Sequence, residues 1–229
     1  MDLSIRLKMI VNQVDECNSI VDVGTDHGYV PIYLVKNHIC KKGVASDINN
    51  GPIEKAQINV TFEGLKDKIS CRLGPGLKTV EKGEVEGVII AGMGGNLTRD
   101  ILLEDWEKVR EYKFLILQPA QNPEVLREFL YNSEFEILDE DLCFEDNKFY
   151  ELFKVKYSMN SYKIKIDSEL DYEVSQILRK KHHPLLSKFI ENKIEKYENI
   201  AEYIKENTES ARLRKSQVVD KIKRLKEMM

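Results

Sequence analysis

The chain has 229 residues, with 35 Lys+Arg against 39 Asp+Glu, a formal net charge of −4 and 42% hydrophobic residues. That length suits one medium domain, or a domain of roughly 150 residues with an appendage, and either can bury a core. A mean hydropathy of −0.41 and short apolar runs such as Val88-Ile89-Ile90-Ala91 exclude a helical membrane span, which needs ~20 residues. The start Met1-Asp2-Leu3-Ser4-Ile5-Arg6 predicts no secretory signal. Cys17, Cys40, Cys71 and Cys143 form no C-x-x-C pair, which predicts reduced cytosolic thiols rather than disulfides or zinc.

In chain order, β-branched apolar runs predict strands at Ser19–Val23, Gly43–Ser46, Ile69–Leu73, Val85–Ile90 and Phe114–Leu117. Between them, Tyr29–Asn37, Pro52–Glu63, Thr98–Trp106 and Pro123–Tyr131 carry apolar residues at three- and four-residue steps and predict helices. Such alternation predicts an α/β fold with a mostly parallel sheet covered on both faces. Phe135–Cys143 and Phe149–Tyr157, joined through Glu145-Asp146-Asn147-Lys148, predict a terminal antiparallel hairpin.

Beyond Tyr157 the strand pattern stops. Leu186, Ile190, Ile194, Tyr197, Ala201 and Ile204 follow a 4-4-3-4-3 spacing, and Ala211, Val218, Ile222, Leu225 and Met229 continue a stripe after Glu206-Asn207-Thr208. A stripe that narrow predicts a helical coiled-coil hairpin. Thr208 or Asn207 can cap its second helix, and His183-Pro184 marks the start of the first. The predicted organisation is residues 1–157 as one domain and 158–229 as a helical tail.

Ligands of open parallel sheets lie outside the carboxyl ends of the strands, so the loops there are the candidate site. The first reads Val21-Asp22-Val23-Gly24-Thr25-Asp26-His27-Gly28-Tyr29. Asp26 stands where a dinucleotide fingerprint places its middle glycine. A carboxylate there repels a pyrophosphate and suits a cationic ligand, which disfavours NAD and favours S-adenosylmethionine. Asp47 closes the second strand, where an acidic side chain accepts both ribose hydroxyls of a bound adenosine; a turn or helix-capping role within Asp47-Ile48-Asn49-Asn50-Gly51 is an equal alternative. Arg72-Leu73-Gly74-Pro75-Gly76-Leu77 follows the third strand and Ala91-Gly92-Met93-Gly94-Gly95-Asn96 the fourth. Small residues around one Met let a flat ring lie on bare backbone. Gln118-Pro119-Ala120 adds a neutral amide.

Taken together, Asp22–Pro31, Asp47, Arg72–Leu77, Ala91–Gly95, Leu117–Pro119 and Glu145–Tyr150 resemble the bacterial tRNA (adenine-22-N1)-methyltransferase family. Leu3–Leu7 is similar to that family's opening helix, and the likeness covers residues 3–157. Pro75 and His182-His183-Pro184 depart from the usual pattern. The resemblance implies a Rossmann-like class I methyltransferase fold, S-adenosylmethionine as donor, adenine N1 of tRNA as acceptor, and a coiled-coil tail that holds the tRNA. It assigns the cofactor to Asp22, Gly24, Asp26, His27, Gly28, Asp47, Ile48, Gly74, Gly76, Gly92 and Met93. Asp26, Met93 and Gly94 are assigned to the chemistry; a histidine at a helix start, like His27, is more often a cap or packing residue than a catalyst. The base would slide against Met93-Gly94-Gly95, while Asp26, with Gln118 as a second candidate, interacts with its amino group or the positive charge developing on the product.

Charge is divided between the segments. Residues 158–229 hold 16 Lys+Arg against 12 Asp+Glu, leaving 19 against 27 for residues 1–157, so the halves are net +4 and net −8. Arg212, Arg214, Lys215, Lys221, Lys223, Arg224 and Lys226 face one acidic residue, Asp220, along the last stretch. Such a run is a solvated helix face or a contact to phosphates. With the resemblance, it reads as a tRNA contact, with Arg6 as a second patch. The expected molecule is a cytoplasmic enzyme, monomeric or weakly dimeric, with no metal and no membrane contact. A small-molecule methyltransferase and a non-catalytic RNA-binding protein remain the alternatives.

Overall fold

The computed structural model describes residues 2–160, 162–205 and 208–229. The chain divides into two compact units, Met1–Lys165 and Ile166–Met229. The first opens with α1 (Ile5–Asn12) and continues β1 (Cys17–Val23), α2 (Tyr29–Lys36), β2 (Cys40–Asp47), α3 (Asn50–Phe62) and β3 (Ile69–Leu73). After a 3-10 turn at Gly76–Thr79 come β4 (Gly87–Ala91), α4 (Gly95–Glu104), α5 (Trp106–Val109), β5 (Phe114–Gln118) and α6 (Pro123–Asn132). A hairpin of β6 (Phe135–Glu145) and β7 (Lys148–Tyr157) ends the unit's regular structure.

The seven strands form one sheet in the order β3-β2-β1-β4-β5-β7-β6. β1 to β5 run parallel and β7 inserts antiparallel between β5 and β6. This is the Rossmann-like α/β sheet with a terminal antiparallel hairpin that the alternation predicts. Strand order reverses between β1 and β4, so their carboxyl ends define the crevice. Ile20, Val21, Ile89, Ile90, Leu115, Ile116 and Leu117 are all buried, as continuous apolar runs in doubly covered strands must be. The hairpin turns at Asp146 and Asn147, whose φ of 48° and 58° match the mirror-image turn that a two-residue connection favours.

Boundaries differ from the sequence pattern where pairing or turns intervene. Parallel pairing starts at Cys17↔Cys40, so β1 and β2 begin before their most apolar residues. The predicted Thr98–Trp106 helix starts instead at Gly95 and breaks at Asp105 (φ −113°, ψ 35°), which leaves Trp106 to begin α5. There its ring meets Phe135 and Tyr157 edge-on, with centroids 5.5 and 5.8 Å apart; it is packing.

α6 is fastened to the hairpin by a buried charge cluster. Arg127 Nη2 donates to Glu140 at 2.7 Å and to Glu151 at 2.6 Å, with side-chain exposures of 0%, 0% and 4%. Tyr131 donates to the other Glu140 oxygen, and the guanidinium lies over the Phe153 ring at 4.8 Å. Burial opposes the Arg127 charge, but the two carboxylates outweigh it and hold its pKa above the usual range.

The second unit contains α7 (Leu170–Glu173), α8 (Gln176–Lys180), α9 (Leu186–Tyr203) and α10 (Glu209–Glu227). α9 and α10 are the expected pair. Thr208 caps α10 by accepting from the Ala211 N–H at 3.2 Å, while Asn207, the alternative cap, lies outside the described residues. α7 and α8 are not apparent in the apolar pattern, because each is only four or five residues long; Leu170, Val174 and Leu178 are buried, and polar groups add to their hold. Ser175 accepts from the N–H groups of Ile177 and Leu178, and Glu173 accepts from Lys221 at 2.7 Å and from Tyr197 at 2.6 Å. Phe189, outside the predicted stripe, is buried beside Ile190 and Ile194, while Met229, predicted within it, is exposed.

Removing one partner of a buried ion cluster strands the others, at a cost of about 3–5 kcal/mol. Arg127→Ala is therefore expected to lower unfolding free energy in urea by that order, and Arg127→Met, which keeps the packing, by no more than Arg127→Ala.

Candidate active site

The crevice is built from loops that lean on their neighbours. Immediately after β1, the N–H groups of Gly24 and Thr25 both donate to the Ser46 carbonyl, at 2.8 and 2.9 Å. Reaching one acceptor with two successive N–H groups bends the chain sharply, and Gly24 takes φ 75°, which a residue without Cβ tolerates. His27 and Gly28 follow at φ 60° and 69°. The loop after β3 is tied to β2 by Gly74 N–H to Asp47 C=O at 2.9 Å. The loop after β4 is tied to the end of β5 by Gly92 N–H to Gln118 C=O, Ala120 N–H to Met93 C=O and Gly95 N–H to Gln121 C=O.

Three carboxylates stand at this edge in different states. Asp22 is buried and accepts from the Thr25 hydroxyl at 2.6 Å. Burial pushes its pKa up to about 6, against the lowering effect of Thr25 and of the Arg6 charge, and Asp47 raises it further. Asp26 lies on the loop with its side chain 79% exposed, 3.3 Å from the His27 imidazole. Asp47 accepts from the N–H and the side-chain amide of Asn49 at 2.7 and 3.1 Å, both on Oδ1. The turn role is thus real, and it leaves Oδ2 for a ligand. Next to it Ile48 is 66% exposed.

The glycines divide by what a side chain would strike. A Cβ on Gly24 would lie 2.3 Å from the Met93 methyl, so Met93 reaches across from the β4 loop to cover bare backbone. Gly92 has φ 82°, with the Arg6 guanidinium 3.6 Å from such a Cβ, and Gly94 faces open space among the described residues. Gly28 and Gly76 serve packing instead: their Cβ atoms would touch Ala56 at 3.2 Å and Ile101 at 3.3 Å. Gly95 is buried with the Asn122 carbonyl 2.2 Å from its Cβ position, so it lets α4 start close to the α6 loop and offers no surface to a substrate. Gly74 is crowded by Thr79 at 2.9 Å.

Other expected contacts are also placed. Gln118 is fully buried; it accepts from Arg6 at 2.9 Å and donates to the Pro119 carbonyl at 2.8 Å, so its amide is spent inside the fold. Arg6 sits over the Tyr150 ring at 5.5 Å, and Glu145 accepts from the Ile5 N–H at 2.7 Å. α1 and the hairpin tip therefore meet at the β4–β5 end of the crevice. His27 stacks on Tyr29 at 5.2 Å. In the second unit Arg212, Arg214, Lys215, Lys223 and Arg224 are exposed, Arg224 pairs with Asp220 at 2.8 Å, and Lys221 is committed to Glu173. Sequence reasoning missed Thr25 and Ser46, whose roles come from backbone geometry, and Leu73, 55% exposed at the end of β3; an apolar residue flanking the glycine loop was the available signal.

The residues fit a ligand with a cationic centre and an adenosine: carboxylates at the ends of β1 and β2, open space at Gly94, and exposed Ile48 and Leu73 beside them. Among the described residues no three His, Cys, Asp or Glu side chains converge as a metal group.

The family model described as tRNA (adenine(22)-N(1))-methyltransferase matches residues 20–227. The Bacillus subtilis tRNA (adenine(22)-N(1))-methyltransferase is 38% identical over 150 residues, 66% of this chain and 63% of that protein; the aligned stretch thus spans less than two thirds of that relative's length. The crystal structure of the B. subtilis M1A22 tRNA methyltransferase superposes with a TM-score of 0.87 at 31% identity, covering 99% of this chain and 98% of that one. The M. capricolum relative in complex with S-adenosyl-homocysteine gives 0.82 at 28% identity, covering 98% and 96%.

A carboxyl whose folded pKa is raised binds its proton more tightly in the folded chain. The Asp22 charge therefore costs stability above about pH 6, and the cost fades as pH falls towards the unfolded value near 4. Asp22→Asn is expected to raise unfolding free energy at pH 7.5 by up to about 3 kcal/mol, a gain that disappears at pH 4 in a denaturant series.

Proposed function

Because the chain belongs to the tRNA (adenine(22)-N(1))-methyltransferase family, whose model matches residues 20–227, we propose that it methylates N1 of an adenine in tRNA, adenine 22 by the family's designation, using S-adenosylmethionine. The observation that carries this reading is the concentration of Asp22, Asp26 and Asp47 around the Gly24 turn, at the point where strand order reverses. A stack of carboxylates there complements a sulfonium and an ammonium and opposes a pyrophosphate.

Asp47 holds the ribose through Oδ2, with Oδ1 fixed by Asn49. Ile48 and the Gly74 loop flank the adenine, and Asp22 supplies negative charge beneath the Gly24 turn. When bound, the cofactor supplies an electrophilic methyl on a cationic sulfur, and adenine N1 receives it with its own lone pair. N1 carries no proton to remove, so the chain's task is alignment more than base catalysis. Met93 and the open backbone at Gly94 guide the target ring. Asp26, exposed on the loop, accepts from the exocyclic amine and offsets the positive charge that develops on the methylated base. Since N1 is a pairing edge, the base must be unpaired or flipped out.

The second unit binds tRNA through the exposed cations of α10. Lys221 and Gln118 drop out of the contact set, because the fold uses both internally. The setting is cytoplasmic, without a metal, and the chain acts as a monomer or weak homodimer. Among the described residues no helix is long and apolar enough to cross a membrane.

Incubation with labelled S-adenosylmethionine and unmodified total tRNA, followed by nucleoside analysis, is expected to yield 1-methyladenosine; label on a small molecule or none at all overturns the assignment. At saturating cofactor, Asp26→Ala is expected to lose at least about tenfold in kcat, and a wild-type kcat would remove Asp26 from the chemistry. Replacing Arg214, Lys215 and Lys223 by Gln should reduce the slope of log affinity for tRNA against log salt by up to ~0.7–0.9 per lost phosphate contact, with cofactor affinity unchanged.

A further inference from the structure

The four cysteines are free thiols and look unrelated in the sequence, yet two are brought together at the end of the sheet opposite the crevice. Cys17 opens β1 and Cys40 opens β2, and they are direct partners in the parallel register. Their sulfurs are 3.1 Å apart. Neighbouring strands run about 4.8 Å apart, within the ~4.4–6.8 Å separation of Cα atoms that a disulfide spans. Closing a bond between these sulfurs shortens their 3.1 Å separation to about 2 Å.

The environment is also asymmetric. Cys17 is half-buried and Cys40 fully buried. The hydrogen bond from the Cys40 thiol lowers the Cys17 pKa, against burial and the nearby Glu86 charge, with smaller help from the Ser19 backbone and Lys113. The same contact and burial raise that of Cys40. Burial raises Cys71, and pushes Cys143 up to about 11. Cys17 thus has the most thiolate character of the four, and a partner waits beside it.

We propose that Cys17 and Cys40 form an oxidation site, at which a small hydroperoxide converts the pair into an intrachain disulfide. The Cys17 thiolate attacks one peroxide oxygen, the O–O bond breaks, and a sulfenic acid forms as hydroxide leaves, with sulfur oxidised by two electrons. The Cys40 sulfur then attacks the Cys17 sulfur; an S–S bond forms, the S–O bond breaks, and the departing hydroxide takes the Cys40 proton as water. Cys17 is the attacking residue and Cys40 the resolving one. The hydroperoxide is consumed as the oxidant, and a dithiol reverses the bond.

The test uses the reduced full chain and hydrogen peroxide, followed by alkylation, digestion without reductant and mass spectrometry. The expected result is a Cys17–Cys40 linked peptide pair lighter by two hydrogens, lost on adding dithiothreitol, with Cys17 consumed at least about tenfold faster than Cys71. Cys40→Ala should leave a sulfenic acid at Cys17 that dimedone traps, and Cys17→Ala should leave Cys40 unreacted. Oxidation of Cys71 or Cys143 as fast as Cys17, or conversion of Cys17 to sulfinic acid without a link, overturns the proposal. The wild-type measurement decides the matter even if a variant fails to fold.

Discussion

One carbonyl organises the site. Ser46 C=O, on the residue of β2 that precedes Asp47, accepts from both Gly24 and Thr25, and the form of the crevice depends on that double hydrogen bond. It forces the chain leaving β1 into a left-handed bend, which requires glycine at 24. The bend in turn places the Thr25 hydroxyl over the Asp22 carboxylate and presents Asp26 to solvent. It also leaves the bare backbone at Gly24 on which Met93 rests. Two strands paired in the sheet therefore share one loop architecture.

The protein keeps buried charge in two places on different terms. Arg127 is satisfied by Glu140 and Glu151, with Tyr131 donating to Glu140, and the cluster fastens α6 to the hairpin. Asp22 has no such partner set. Its carboxylate is desolvated and only partly compensated by Thr25 and Arg6. A destabilised negative charge under a binding loop is what a cationic ligand can use, since the ligand supplies the compensation that the fold withholds. The first cluster is compensated within the fold, and the second is compensated only in part.

Charge is partitioned at a larger scale as well. Net −8 for residues 1–157 and net +4 for residues 158–229 suit one segment to a cationic cofactor and the other to a polyanion. Within the second unit not every cation is available, because Lys221 is drawn to Glu173 and Tyr197. The charge run visible in the sequence is an upper limit on the cations left unbonded, since the fold uses some of them for its own packing.

Much of the fold was legible because its cause is local. Runs such as Val88-Ile89-Ile90-Ala91 bounded by glycines are strands wherever they sit, and strand–helix alternation implies a parallel sheet whose carboxyl ends hold the ligand loops. The Asp-Asn turn of the hairpin and the stripe of α9 were likewise carried by short-range chemistry, and the family motifs around Gly24, Asp47 and Gly92 located the crevice. The tertiary structure alone decided what each glycine lies against: Met93 across from Gly24, Ala56 from Gly28 and the Asn122 carbonyl from Gly95. It alone took Gln118 and Lys221 into internal bonds and set Cys17 beside Cys40. Periodicity and turn chemistry act between residues a few positions apart. Partners 23, 48 or 112 positions away meet only when the fold brings them together.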